Sequence, residues 1–363
     1  MRVVCLSTDR GIPFGGTKGA SVHLGELASA LADAGADVLV LVAASVAGTE
    51  SPGRTHVERL PPAVVAEPRE AWLARRLERF GAGVLYERLA LHSAAGSRAA
   101  RAAGIPHLVE LNSPLPAEAA TYRRLDEPEA ADRLERETLA NADLVLPVSR
   151  PLAAYARRRG ARRVEVLPNA VDPACFAAEP MHAPQPAAVF AGTLRPWHGI
   201  ETIVRAWRLL GAAAPPLIVA GDGPGRELLE PVAAEITGFL PHSSVPAVLA
   251  SAEIGLAPYA AHTPDYFSPL KLFEYLAAGL ATIAGDLPGI VDVVDGRSAV
   301  VIAKGDAPAL ARSVARLAAD PGERIRLGRA GRALVKARHT WQQRAQSILD
   351  SVAYLIGEAA ACT

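Results

Sequence analysis

The chain has 363 residues, half of them hydrophobic and 21% charged, which suits two domains with real cores and excludes a largely disordered chain. Lys plus Arg and Asp plus Glu each number 38, so the formal charge is zero and the surplus of basic charge that a dedicated nucleic-acid binder needs is missing. Cys5, Cys175 and Cys362 are far apart, with no CxxC or Cys/His cluster, so neither a disulfide framework nor a zinc site is expected. No apolar run reaches the ~18–20 residues of a membrane span. The first six residues read as a strand rather than a signal peptide, and a cytoplasmic location is expected.

In chain order, residues 2–7 form a strand, followed by a glycine-rich loop from Gly11 to Gly19. A helix starts at Ser21, where Leu24, Leu27, Ala28 and Leu31 recur at i, i+3, i+4 and i+7, and Gly35 stops it. Residues 38–42 are a continuous apolar run of the kind buried on both faces, and 84–86, 108–111 and 144–148 continue the same sheet. Residues 72–80 combine Trp72, Leu73, Leu77 and Phe80 with Arg75, Arg76 and Arg79; packing on the sheet is favoured over a membrane-binding face.

The polar, proline-rich stretch 179–186 reads as a linker. The pattern then restarts: strand 188–191, helix 199–210, strand 217–220 with a turn at 221–225, and strands 254–257 and 281–284. A last helix from about Thr340 is expected to cross back to the first domain. The fold class expected is α/β, with two doubly wound Rossmann-like domains facing across a cleft. They span 1–180, rejoined by 341–363, and 181–340. A ligand is expected outside the carboxyl ends of the strands.

The richest segment is 265–279. Ser268 is a good N-cap, Pro269 suits the first helical position, and Gly279 ends the helix. Open N–H groups and the dipole make such a helix start an anion site. Cations are disfavoured there, so Lys271 in the first turn needs a partner, and a diphosphate would be one. Glu274, about six residues past the cap or roughly 9 Å along the axis, is placed to accept hydrogen bonds from ribose hydroxyls. An i,i+3 pair between Lys271 and Glu274 is the structural alternative. The Gly15-Gly16 loop is a phosphate cradle by type, but fits neither GxGxxG nor GxxxxGK[ST].

These residues resemble the family 4 retaining glycosyltransferases, which have the GT-B fold. The resemblance extends over most of the chain: the loop Gly15-Gly16-Thr17-Lys18-Gly19, the Pro168-Asn169-Ala170-Val171-Asp172 turn, Gly192-Thr193-Leu194-Arg195, Gly221-Asp222-Gly223-Pro224, and Ser268-Pro269-Leu270-Lys271-Leu272-Phe273-Glu274-Tyr275. It implies a donor site from Gly15, Gly16, Thr193, His198, Gly238, Asp265, Tyr266, Phe267, Ser268, Pro269, Leu270 and Glu274, with Arg195 and Lys271 on the departing diphosphate. The family's first signature glutamate falls on Tyr266, with Asp265 next to it. Its loop lysine falls on His198, and the histidine near its reacting sugar on Asn112. His23 is the other candidate catalytic side chain. The implied reaction moves a hexose-type sugar from a UDP- or GDP-sugar to a small-molecule hydroxyl, with retention. Neither metal nor cofactor is called for; the nucleotide sugar is a co-substrate. The leaving diphosphate helps deprotonate the acceptor in the mechanism proposed for such enzymes. An epimerase, a phosphorylase or a non-catalytic nucleotide-sugar binder are the alternatives.

Overall fold

A computed structural model of the chain describes residues 1–46, 54–61, 69–122, 125–177 and 185–361. It divides into two compact units, Met1–Pro168 with Trp341–Thr363, and Asn169–Thr340. The units divide at 168/169, earlier than the 180/181 that the proline-rich stretch predicts. There the Asn169 amide donates to the Ser268 carbonyl and Val171 N–H donates to His339 O at 3.1 Å. Residues 179–184 of the proposed linker, and Cys362, lie outside the described residues.

The first unit holds β1 (Arg2–Ser7), β2 (Asp37–Val42), β3 (Thr55–Arg59), β4 (Val84–Arg88), β5 (His107–Leu111) and β6 (Leu144–Pro147). All pair in parallel in the order β3-β2-β1-β4-β5-β6, with Val3 beside Val38 on one side and Val84 on the other. The apolar runs of β1 and β2 are buried on both faces, as a helix-covered parallel sheet requires. Leu73, Ala74 and Leu77 of the Arg69–Phe80 helix join Leu39, Leu41 and Leu85 in one core. The Trp341–Ala361 helix packs on the Gly19–Asp33 helix, with the Trp341 ring edge-on to His23 at 4.7 Å between centroids.

The second unit holds β7 (Ala188–Ala191), β8 (Leu217–Ala220), β9 (Ala234–Ile236), β10 (Ile254–Ala257), β11 (Ala281–Gly285) and β12 (Val300–Ile302), in the order β12-β11-β10-β7-β8-β9. Three strands had no sequence counterpart: β3, β9 and β12. All are edge or outermost strands, short and partly exposed, so they lack a continuous apolar run.

Strand order reverses between β1 and β4 in one sheet and between β7 and β10 in the other. At such a point neighbouring crossovers leave on opposite faces and open a crevice at the carboxyl ends. In the second unit, β10 meets β7 only at Ile254–Ala188 and Gly255–Val189. The Tyr275 ring packs against Gly255, where a Cβ would come within 2.9 Å of it. The Tyr275 hydroxyl accepts from Ala191 N–H at 2.6 Å and reaches Leu256 O at 3.4 Å.

Candidate active site

The helix in this second crevice is Leu270–Ala277, one residue later than expected. Pro269, in an extended conformation, holds the N-cap, and Ser268 does not cap it. Proline has no side-chain acceptor, so no side chain at the cap takes the N–H groups of Leu270 and Lys271, while Leu272 N–H turns back to Pro269 O at 3.3 Å. The Ser268 hydroxyl is itself buried, with no hydrogen-bond partner among the described residues. The other end is closed: Arg332 donates to Ala277 O and Ala278 O at 2.9 Å each and to Phe176 O at 3.3 Å. Glu274 stands five residues past the observed cap, about 7.5 Å along the axis.

Lys271 does not pair with Glu274. Its Nζ is buried, has no hydrogen-bond partner among the described residues, and lies 3.9 Å from the centroid of Phe190 and 6.0 Å from that of Tyr259. Burial lowers the amine to about 7, although the Glu274 charge opposes this. Above the amine is Gly192, at φ 130°, where a Cβ would meet Nζ at 3.1 Å. Backbone and ammonium therefore share one small space, and the site presents a cation without its anion.

The loop after β7 supplies the rest. His198 Nδ1 donates to Thr193 O at 2.5 Å, and burial with the neighbouring Lys271 charge holds its imidazole down at about 3. His198 is thus a neutral ring presenting an Nε2 lone pair, not the second cation of the site. Arg195 is exposed, its guanidinium 5.8 Å from the Trp197 ring. The Thr263 hydroxyl donates to Trp197 O at 2.6 Å, and the Trp197 ring lies 6.3 Å from Phe267, so the loops after β7 and β10 are tied together. Tyr266 stacks on Phe267 at 5.2 Å. Asp265 is engaged by Lys304 Nζ at 2.6 Å. Gly238, at φ 74°, has open space where a Cβ would be. His242, soon after it, donates from Nε2 to Glu274 Oε1 at 2.8 Å.

In the first unit, Gly15 turns at φ 76°, and a Cβ on Gly16 would press on Pro13 and the Ser21 hydroxyl. The buried hydroxyls of Ser7, Thr8 and Ser21 have no partner among the described residues. His23 and Asn112 converge on one carboxylate, Glu110 of β5. Its Oε2 accepts from His23 Nε2 at 2.8 Å and from the Tyr86 hydroxyl at 2.5 Å; its Oε1 accepts from Arg88 and Asn112. Burial alone would raise this carboxyl, but His23, Arg88 and the hydrogen bonds hold it well below the usual range. With both oxygens occupied, Glu110 is an organiser and not a base. An ionised carboxylate accepts only, so Asn112 must turn its NH₂ to Glu110 and its carbonyl elsewhere.

The second unit thus links Thr193, His198, Lys271 and Glu274, with Ser268 just ahead of the same helix; the first joins His23 and Asn112 through Glu110. Glu110, Arg88, Tyr86, His242 and Lys304 had no assigned role in the sequence reading. The signal for the first three was charge or hydroxyl at the end of apolar strands. Among the described residues no group of three or more His, Cys, Asp or Glu could hold a metal ion, and no helix is long and apolar enough to cross a membrane.

Residues 17–174 match the family model described as Glycosyltransferase Family 4, and residues 185–320 the one described as Glycosyl transferases group 1. A 2-deoxystreptamine glucosyltransferase of Streptomyces kanamyceticus is 30% identical over 267 residues, 66% of this chain and 68% of that protein. The chain belongs to the family 4 glycosyltransferases. Solved structures of the same fold include sucrose-phosphate synthase from Thermosynechococcus elongatus, with a TM-score of 0.76 at 19% identity over 98% of this chain and 99% of that one. Anabaena HepE in complex with UDP gives 0.77 at 16% identity, over 98% and 100%. In this glycosyltransferase both sheets follow the doubly wound order of the GT-B fold, and the signature helix starts at the β7/β10 reversal.

Proposed function

We propose that this glycosyltransferase takes a hexose-type sugar from a nucleoside diphosphate sugar held by its second unit. The observation that carries the reading is that the buried Lys271 ammonium and the Ser268 hydroxyl, at the start of one helix with no side-chain cap, both lack a hydrogen-bond partner among the described residues. A diphosphate supplies the missing acceptors to all three. Lys271, the helix N-terminus and Arg195 offset the charge that grows on the leaving diphosphate. Glu274 accepts the ribose hydroxyls, and Thr193, His198, Gly238 and residues 265–270 line the remainder. The crystallised HepE complexes with UDP and UDP-glucose favour a uridine donor.

The acceptor is a small molecule with a hydroxyl group, bound by the first unit near Gly15, Gly16, His23 and Asn112. The relative's name makes 2-deoxystreptamine the first compound to try. The acceptor oxygen forms its bond to the anomeric carbon as the bond from that carbon to the phosphate oxygen breaks. The acceptor proton goes to the leaving diphosphate, and configuration is retained. This assignment suits a site where Asn112 stands in the place of a histidine and Glu110 is already saturated. No prosthetic group takes part, and the reaction is cytoplasmic.

Calorimetry against UDP, GDP, ADP and TDP tests the reading. One nucleotide should bind and lose affinity in Glu274→Ala; binding of none would overturn it. Proton NMR of the product's anomeric signal then reports retention or inversion.

A further inference from the structure

Glu274 and Lys271 stand three residues apart on the helix, close enough to close on each other, yet they do not. The carboxylate is held from a different element. His242 opens the short His242–Ser244 turn that follows β9, and its Nε2 donates to Glu274 Oε1 at 2.8 Å. Both side chains are partly covered, 30% exposed for His242 and 14% for Glu274. Oε2 of Glu274 has no hydrogen-bond partner among the described residues. The last torsion of a glutamate is broad, so an untethered carboxylate rotates freely. Tethering one oxygen fixes the plane of the group and the direction of the second oxygen. The helix that carries it is itself immobilised by the Tyr275 wedge and the Arg332 cap. The tether also keeps Glu274 from swinging onto Lys271, which leaves the ammonium for an anion.

We propose that His242 is a positioning residue for nucleotide selection: by holding Oε1 of Glu274 it aims Oε2 at the ribose hydroxyls and sets the preference for ribonucleotides over 2′-deoxyribonucleotides. The inference rests on the donor reading above and extends it to a residue outside the signature segment. A merely structural histidine would affect both sugars alike.

The test uses the intact protein and calorimetry with UDP against 2′-deoxyuridine diphosphate, and GDP against its 2′-deoxy form. The parent should bind the ribonucleotide at least about 10-fold more tightly, the scale of a hydrogen bond to a charged group. Glu274→Ala should abolish the ratio. His242→Ala should bring it to within about 3-fold while binding of the deoxy form changes little, and His242→Gln, whose amide nitrogen can replace Nε2, should restore most of it. A His242→Ala protein with the parent's ratio, or one that loses both nucleotides in equal proportion, overturns the assignment. If the parent binds ribonucleotides without preference, the ribose role of Glu274 falls and this proposal with it. If no nucleotide binds, the donor reading itself has failed.

Discussion

Replacing Lys271 with methionine removes a charge while keeping most of the volume, and it should separate stability from binding. A free lysine titrates near 10.5 and Lys271 in the empty site near 7. Between those values the unfolded chain binds more protons than the folded one, so stability rises with pH from about 7 to about 10.5 and is lowest below 7. The gap is worth about 5 kcal/mol. Lys271→Met should therefore be more stable than the parent by about 5 kcal/mol at pH 6 in urea unfolding, and most of the advantage should be gone by pH 10. The same variant should lose at least about 10-fold in affinity for the nucleoside diphosphate that the parent binds. The parent should also take up about half a proton on binding at pH 7, read by calorimetry in buffers of different ionisation enthalpy. A methionine variant less stable than the parent at pH 6, or one that keeps its nucleotide affinity, would refute the argument.

Glu110→Gln turns an acceptor of four donors into a group with two N–H bonds of its own, leaving the Arg88 guanidinium without its counter-charge and the His23 N–H without its acceptor. It should destabilise the first unit by about 3 kcal/mol at pH 7. Glu110 has a depressed pKa, so its contribution is present above the usual carboxylate range and fades as pH falls; the variant should lose that acid-side slope in urea titrations from pH 7 to pH 3. Arg332→Ala uncaps the signature helix and should cost about 2 kcal/mol, with Arg332→Lys recovering little, because one ammonium does not reproduce the guanidinium fork. Gly221 sits at φ 152°, and a Cβ there would overlap the Gly192 carbonyl. Gly221→Ala should displace the Gly192 loop and weaken nucleotide binding at least about 10-fold by calorimetry.

What the sequence made legible was whatever rests on local pattern. The buried parallel strands announce themselves as apolar runs, and Lys271 stands out because a cation in the first turn of a helix has no local reason to be there. The edge strands β3, β9 and β12 escaped because half-exposed strands have no such run. The cap was misplaced by one residue because Ser268 and Pro269 each satisfy a different helix-start rule, and the tertiary bond from Asn169 to Ser268 O decides between them. Glu110 and His242 act through partners 87 and 32 residues away, His23 and Glu274. Only folding brings those pairs together, and no spacing rule reaches so far.

The return of the Trp341–Ala361 helix to the first unit fixes the order in which the molecule can be completed. During synthesis the second unit, an unbroken stretch from Asn169 to Thr340, leaves the ribosome whole and can close. The first unit began earlier but must wait, with the Gly19–Asp33 helix and the His23 ring uncovered, until Trp341 arrives. At ~5–20 residues per second the interval after Pro168 lasts on the order of 10 s or more. A nascent chain therefore holds an assembled second unit well before its first unit is sealed, and a premature stop near residue 340 leaves the second unit intact and the first open.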